Sequence, residues 1–287
     1  MSMVEAVGMS EQVVQEQTAQ AEHLLQVENL RCGYGKKHTV EIVHGVSFSV
    51  DEGEFVCIIG ANGCGKTTTL KALMGLLPAL GGEVSIRGAD ISKMPERELA
   101  QHFAYIPQAH TPPFPFSVAD VVLMGRTPYI NRLSRTTARD RQIAYSALEL
   151  LGITHLAKTE YTQLSGGQQQ LVLIARALTQ QSDILVMDEP TAALDFGNQQ
   201  LVLSRMHMLS RLGKAVIMVT HDPDHALFCA DRVVVMDSGN VLTEGTAEEC
   251  ITTEMLEKIY GTDARVLDVE VEPGRIERVC IPLNERA

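Results

Sequence analysis

A lysine and two threonines close the glycine-rich run Gly60-Ala61-Asn62-Gly63-Cys64-Gly65-Lys66-Thr67-Thr68, which has the spacing G-x-x-x-x-G-K-T. Directly before it stands the apolar run Phe55-Val56-Cys57-Ile58-Ile59, which reads as a buried strand. A strand, a glycine turn and a helix N-terminus together aim several backbone N–H groups and a helix dipole at one point. That arrangement suits a polyphosphate. In such a loop Lys66 would reach the β- and γ-phosphates, and the Thr67 hydroxyl would hold Mg²⁺. Cys64 lies beside Lys66 near the helix start, conditions that lower a thiol pKa, so its alkylation is expected to block nucleotide binding.

Two further segments carry chemistry. Ile184-Leu185-Val186-Met187-Asp188-Glu189-Pro190 reads as a buried parallel strand ending in adjacent carboxylates. Alternation along a strand predicts that the two face opposite ways. Asp188 is then placed to support Mg²⁺, while Glu189 faces the γ-phosphate and polarises the attacking water. Leu164-Ser165-Gly166-Gly167-Gln168 reads as a polar loop opening a long helix, a second helix start able to meet an anion.

The elements that position these groups follow from periodicity and stop signals. Residues 24–90 are expected to give an antiparallel β region and the first core strand and helix, with Gly81 to Gly88 as a hairpin-like return. The helix after the loop is predicted over Thr68 to Leu77, stopped by Pro78. The texture from Ser117 to Gln163 is helical, with Ser117/Asp120 and Thr137/Asp140 as capping pairs and Gly152 as a stop. His110-Thr111-Pro112-Pro113-Phe114-Pro115-Phe116 is too proline-rich for helix or central strand. Ala264 to Val271 and Ile276 to Ile281, joined through Pro273-Gly274, read as a hairpin.

In this order the motifs resemble the ATP-binding subunit of ABC transporters, from about Leu24 to about Val266, with the pentapeptide Leu164 to Gln168 as the diagnostic element. The resemblance implies an α/β fold: a P-loop NTPase core of RecA-like type, with a mostly parallel sheet, an antiparallel β subdomain and a helical subdomain over about 117–163. It implies a flexible extension at 1–23, an ATPase domain at 24–266 and a C-terminal hairpin and tail at 267–287. Gln108 matches the family's glutamine loop, with a place at Mg²⁺ and in catalysis. Ala193-Leu194-Asp195 matches the loop after the catalytic glutamate, and His221 matches the switch histidine. Tyr34 matches the aromatic residue that stacks on adenine. One chain would hold ATP and Mg²⁺ on Tyr34, the phosphate loop, Gln108, Asp188, Glu189 and His221, while Ser165, Gly166, Gly167 and Gln168 close over the nucleotide of a second copy. The implied assembly is a head-to-tail homodimer.

Asp120-Val121-Val122-Leu123-Met124-Gly125-Arg126-Thr127-Pro128-Tyr129, Leu194-Asp195-Phe196-Gly197-Asn198-Gln199 and Thr252 to Gly261 are similar to importers of iron-siderophore, haem, cobalamin and related chelates. Molybdate and tungstate importers of the same branch are close competitors. The resemblance implies two separate membrane permease subunits, an extracytoplasmic substrate-binding protein engaged indirectly, and a peripheral place on the cytoplasmic face of the inner membrane. A soluble ABC protein outside transport is the alternative of another class. Translation proteins of this family carry two ATPase modules and DNA-repair members a long coiled coil, and neither pattern is seen.

Composition agrees. The chain has 287 residues, 45% of them hydrophobic, and a formal net charge of −12, which opposes a nucleic-acid partner. No apolar run approaches the roughly 20 residues of a membrane span, and the first twenty residues do not read as a secretory signal. Six scattered cysteines lack C-x-x-C spacing, which argues against zinc or a disulfide framework and fits a reduced compartment. His221 with His225, and Met206-His207-Met208, are weak metal patterns expected to serve other roles.

Overall fold

Five apolar residues in a row are stable as a strand only where both faces of the sheet are covered, and Phe55–Ile59 is buried at every position. The computed structural model describes residues 23–35, 40–107, 115–130, 135–192 and 194–283. The expectations for the extension before residue 23, for Gln108, for His110 to Phe114 and for Ala193 fall outside the described residues.

Strands β1 (Leu25–Tyr34) and β2 (Val40–Val50) precede β3 (Phe55–Ile59) and helix α1 (Lys66–Leu73). β4 (Ala79–Ile86) and β5 (Ala89–Asp90) return to β1, giving an antiparallel sheet in the order β2-β1-β4-β5. α2 (Glu96–His102) leads into β6 (Phe103–Ile106), and the helical region follows as α3 (Val118–Leu123), α4 (Ala138–Leu150) and α5 (Gly166–Thr179). The chain continues through β7 (Ile184–Asp188), α6 (Phe196–Arg211), β8 (Ala215–Thr220), α7 (Pro223–Cys229), β9 (Arg232–Asp237) and β10 (Asn240–Gly245). It closes with α8 (Ala247–Cys250), α9 (Thr253–Tyr260) and the hairpin of β11 (Ala264–Glu272) and β12 (Arg275–Pro282).

The second sheet runs β10-β9-β3-β8-β7-β6, parallel except for β10. Alternate residues of β3 feed two cores. Phe55, Cys57 and Ile59 pack with α3, α4 and α5, while Val56 and Ile58 pack with α1 and the antiparallel sheet. The parallel register leaves Gly60, Glu189 and His221 each one residue beyond a strand end, on one edge of the sheet. Such an edge, at the carboxyl ends of parallel strands, is where open α/β sheets bind ligands.

Helix α1 is shorter than its apolar pattern predicts. Gly75 takes φ +67°, and the Leu76 and Leu77 amides fold back onto the Lys71 carbonyl at 2.9 and 3.2 Å. A left-handed glycine therefore ends the helix before Pro78 is reached.

One buried ion pair ties the helical region together. Arg126 Nε donates to Asp140 Oδ1 at 2.9 Å, its guanidinium also reaches Thr179 O and Gln181 Oε1 at 3.0 Å, and it lies 4.0 Å from the Tyr129 ring centroid. The second Asp140 oxygen completes the predicted capping box with Thr137. Thr137 and Arg126 hold the Asp140 carboxyl down at about 2. We expect Asp140→Asn to leave a charge uncompensated at a nearly closed site and to cost about 3 kcal/mol, read as a lowered urea midpoint at pH 7. The folded-state pKa lies below the usual aspartate value of about 3.9. The carboxylate's contribution is thus complete above about pH 4 and is lost as pH falls through about 2. A variant melting like wild type at pH 7 would contradict this account.

Candidate functional site

The phosphate-type loop keeps its shape because nothing larger than hydrogen fits at its start. A Cβ on Gly60 would stand 2.2 Å from Met236 O, and Gly65, with φ +106°, makes the turn into α1. Lys66 is buried, and its Nζ donates to the Gly60 and Ala61 carbonyls at 2.7 and 3.1 Å. The ammonium is thereby held at the loop. A cleft of about 180 Å³ opens there, walled by Ile42, Asn62, Gly63, Gly65, Lys66, Thr67, Thr68 and Glu189.

Strand β7 delivers the acids. Asp188 Oδ1 accepts from Thr67 Oγ1 at 3.0 Å and Oδ2 from the Tyr105 hydroxyl at 3.4 Å. Burial pushes the Asp188 carboxyl up, with the Thr67 bond opposing. Glu189 separates from Asp188 by a different route than strand alternation. The strand ends at Asp188, and Glu189 turns out in the left-handed region at φ +48°, its amide bonded to Val219 O at 3.0 Å. Its Oε1 lies 3.3 Å from His221 Nδ1. A strained residue of this kind persists where the surroundings over-determine it.

The His221 turn is braced from inside. His225 is buried, with Nδ1 3.3 and 3.4 Å from the Thr191 and Thr220 hydroxyls and Nε2 3.4 Å from Asp222. Burial holds its pKa down. His225 is thus committed inward, and no cluster of three potential metal-binding His, Cys, Asp or Glu side chains occurs among the described residues.

Other expected residues lie apart from the cleft. Tyr34 ends β1, is 42% exposed and has its ring centroid 5.8 Å from Lys71 Nζ, at a neighbouring rim. Ser165 caps α5 in a capping box with Gln168, while Ser165 and Gly166 face solvent and Gly167 is packed so closely that a Cβ would meet Asn198 at 2.3 Å. None of Ser165 to Gln168 lines the cleft. Asp195 caps α6 through the Asn198 amide.

Cys64 overturns its expectation. Its side chain is 95% buried under the loop in the core shared with α1 rather than in the cleft wall, and that burial raises its pKa despite Lys66 nearby. Desolvation outweighs the cation because the thiolate would have to form among apolar side chains. Sequence reasoning also missed Tyr105 and Ile42, and it did not foresee that His225 braces the His221 turn. Tyr105 is the last residue but one of the strand leading to Gln108 and pairs in register with Val186.

The donor set suits a hard cation and a polyphosphate: one hydroxyl and one buried carboxylate, 3.0 Å apart, beside a lysine and backbone amides. The ABC transporter family profile matches residues 43–192. The hemin import ATP-binding protein HmuV of Nocardia farcinica is 40% identical, over 82% of this chain and 81% of its own length. The molybdate import ATP-binding protein MolC of Haemophilus influenzae is 35% identical, over 82% and 87%. A solved structure described as a metal-chelate type ABC transporter in an inward-facing conformation superposes with a TM-score of 0.81 at 31% identity, over 92% of this chain and 98% of that one.

Proposed function

This chain belongs to the ABC transporter family as an ATP-binding subunit and is an ATPase, and from that premise we propose that it drives import of a metal chelate through a separate membrane permease. The observation that carries the site reading is the convergence, at one sheet edge, of Lys66, the Thr67–Asp188 pair and the Glu189–His221 pair. Lys66 and the loop amides bind the β- and γ-phosphates of ATP. Thr67 and Asp188, with Gln108, would hold Mg²⁺, which would supply positive charge against the transferring phosphoryl group. Asn62, Gly63, Gly65 and Thr68 wall the phosphate cleft, and Tyr34 stacks on the adenine.

Hydrolysis then rests on Glu189. Its carboxylate orients a water and takes up its proton in line with the γ-phosphate, and His221, 3.3 Å from Glu189, steadies both the carboxylate and the γ-phosphate oxygens. Ser165, Gly166, Gly167 and Gln168 close over the ATP of a second copy, a reading supported by their exposed helix start lying outside their own chain's cleft.

The hemin importer and the metal-chelate structure support a chelate as cargo, and the molybdate importer supports molybdate as the second reading. No described helix is long and apolar enough to cross a membrane, which agrees with a peripheral subunit on the cytoplasmic face, joined to two permeases and reached indirectly by an extracytoplasmic binding protein. Affinity purification of the full-length protein from detergent-solubilised membranes, with mass spectrometry of the intact complex, tests this. Two copies on two strongly apolar partners, with turnover stimulated by a loaded ferric-chelate binding protein, are expected. Stimulation by molybdate instead would reassign the cargo, and an assembly free of membrane partners would end the import reading.

A further inference from the structure

Helix α4 and the end of α6 leave a cleft of about 520 Å³ between them, which shares no lining residue with the nucleotide cleft. That volume falls within the roughly 300–1,000 Å³ of built binding sites. Its walls are largely apolar, with Ala147, Leu178 and Leu209 inside and Leu150 and Leu212, 41% and 64% exposed, at the rim. Among the described residues its charged lining consists of Arg139 and Lys214, two cations in a chain of net charge −12. Lys214 Nζ donates to Ser182 O at 2.5 Å, a neutral acceptor that leaves the charge unmatched. Arg126 bonds both Asp140, next to Arg139, and Gln181, next to Ser182, so the two cations belong to one end of the cleft. Its chemistry calls for an occupant that is apolar along one part and acidic along another.

The chain itself contains such a stretch. Residues 1–22 carry Glu5, Glu11, Glu16 and Glu22 with no lysine or arginine, and Val13-Val14 stands between two of these acids. The described chain begins beside the cleft. His23 Nδ1 lies 2.6 Å from Asp51 Oδ1. Two residues on from Asp51, a Cβ on Gly53 would stand 3.4 Å from Ser210 O and 3.6 Å from Gly213 Cα, which flank the rim residue Leu212. On the other side, Leu24 O accepts the Arg87 amide at 3.0 Å, and the Arg87 guanidinium lies 3.8 Å from Asp183, next to Ser182. The ten residues from Val13 to His23 span up to roughly 33 Å, enough to cross a route made of contacts this short. We propose that residues 1–22 dock in this cleft of their own chain, with Val13 and Val14 on the leucine wall and Glu11 and Glu16 at Arg139 and Lys214. The tether makes docking intramolecular, at an effective concentration on the order of millimolar, so modest contacts suffice.

The test uses the full-length protein without nucleotide and adds a cysteine on each side. Val13→Cys is paired with Leu212→Cys at the rim, or with Phe196→Cys, 77% exposed at the other end of α6 and roughly 24 Å away along that helix. The native cysteines are buried, apart from the half-buried Cys280, and bridged peptides are identified by mass spectrometry after digestion. Under mild oxidation the bridge from 13 to 212 is expected to form about 10-fold faster than that from 13 to 196, because docking raises the local concentration at one site only. Arg139→Glu places an acid in the first turn of α4, where the helix dipole tolerates it. Added to the 13 and 212 pair, it should slow bridging about 3-fold, the scale of an exposed ion pair, and Glu16→Arg should restore the rate. Equal rates at 212 and 196 would overturn the proposal, as would indifference to the charge reversal. A bridge to 212 that forms only between chains, seen as a covalent dimer, would assign the cleft to a second copy and overturn docking within one chain.

Discussion

Glu189→Gln is expected to bind ATP with wild-type affinity and to hydrolyse it about 10²- to 10⁴-fold more slowly, the usual loss when a positioned base is removed. That range corresponds to roughly 3–5 kcal/mol of barrier. The substitution isolates the chemistry because glutamine keeps the shape, and the left-handed backbone at φ +48° is set by the end of β7 and the Val219 hydrogen bond rather than by the carboxylate. Lys66, Thr67 and Asp188 remain in place, so affinity should survive. What disappears is the capacity to accept a proton from water beside His221. Since turnover releases the closed state, the variant should accumulate as an ATP-bound dimer on size exclusion. Phosphate release near the wild-type rate would sink the assignment of Glu189, and a marked loss of ATP affinity would show that the variant disturbs the loop instead.

The parts of the site that were legible in the sequence are those built from neighbours. Phe55 to Thr68 carries strand, turn and helix start in one stretch, and the structure places all three as predicted. The capping box at Thr137 and Asp140 and the C-terminal hairpin are local in the same sense. Where the outcome depended on what packs around a residue, the reading failed or fell short. Cys64 looked activated because its near neighbours in sequence are a lysine and a helix start, yet the atoms around its sulfur come from the core below the loop. The separation of Asp188 from Glu189 was anticipated, but strand alternation was the wrong cause, since the strand had ended. The Tyr105 bond to Asp188 and the bracing role of His225 were invisible because each depends on a partner whose proximity only the fold creates. The end of α1 shows the reverse case: Gly75 was in plain view, but the apolar pattern running on to Pro78 masked it.

The proposed head-to-tail arrangement makes a prediction that neither chain alone can fulfil. Lys66→Ala removes the cation from the phosphate loop and should lower turnover about 10²- to 10³-fold, as expected for a lost charge-stabilising donor. Gly166→Asp acts on the other motif. Position 166 is the exposed first residue of α5, where a carboxylate suits the helix dipole and the Ser165 cap is untouched. The fold should therefore tolerate it, while a phosphate brought against that helix start meets a like charge costing several kcal/mol. Each variant alone is expected to be nearly inactive. Mixed in equal amounts, they form hybrid dimers in which one site carries both defects and the other carries neither. With random pairing about half of the dimers are hybrids, so roughly a quarter of all sites are intact in a two-fold assembly. Turnover of the mixture should rise to about that share of wild type. If the Ser165 to Gln168 loop served the nucleotide of its own chain, every site in the mixture would keep a defect and mixing would restore nothing. The size of the recovery therefore separates closure over a partner's nucleotide from closure within one chain.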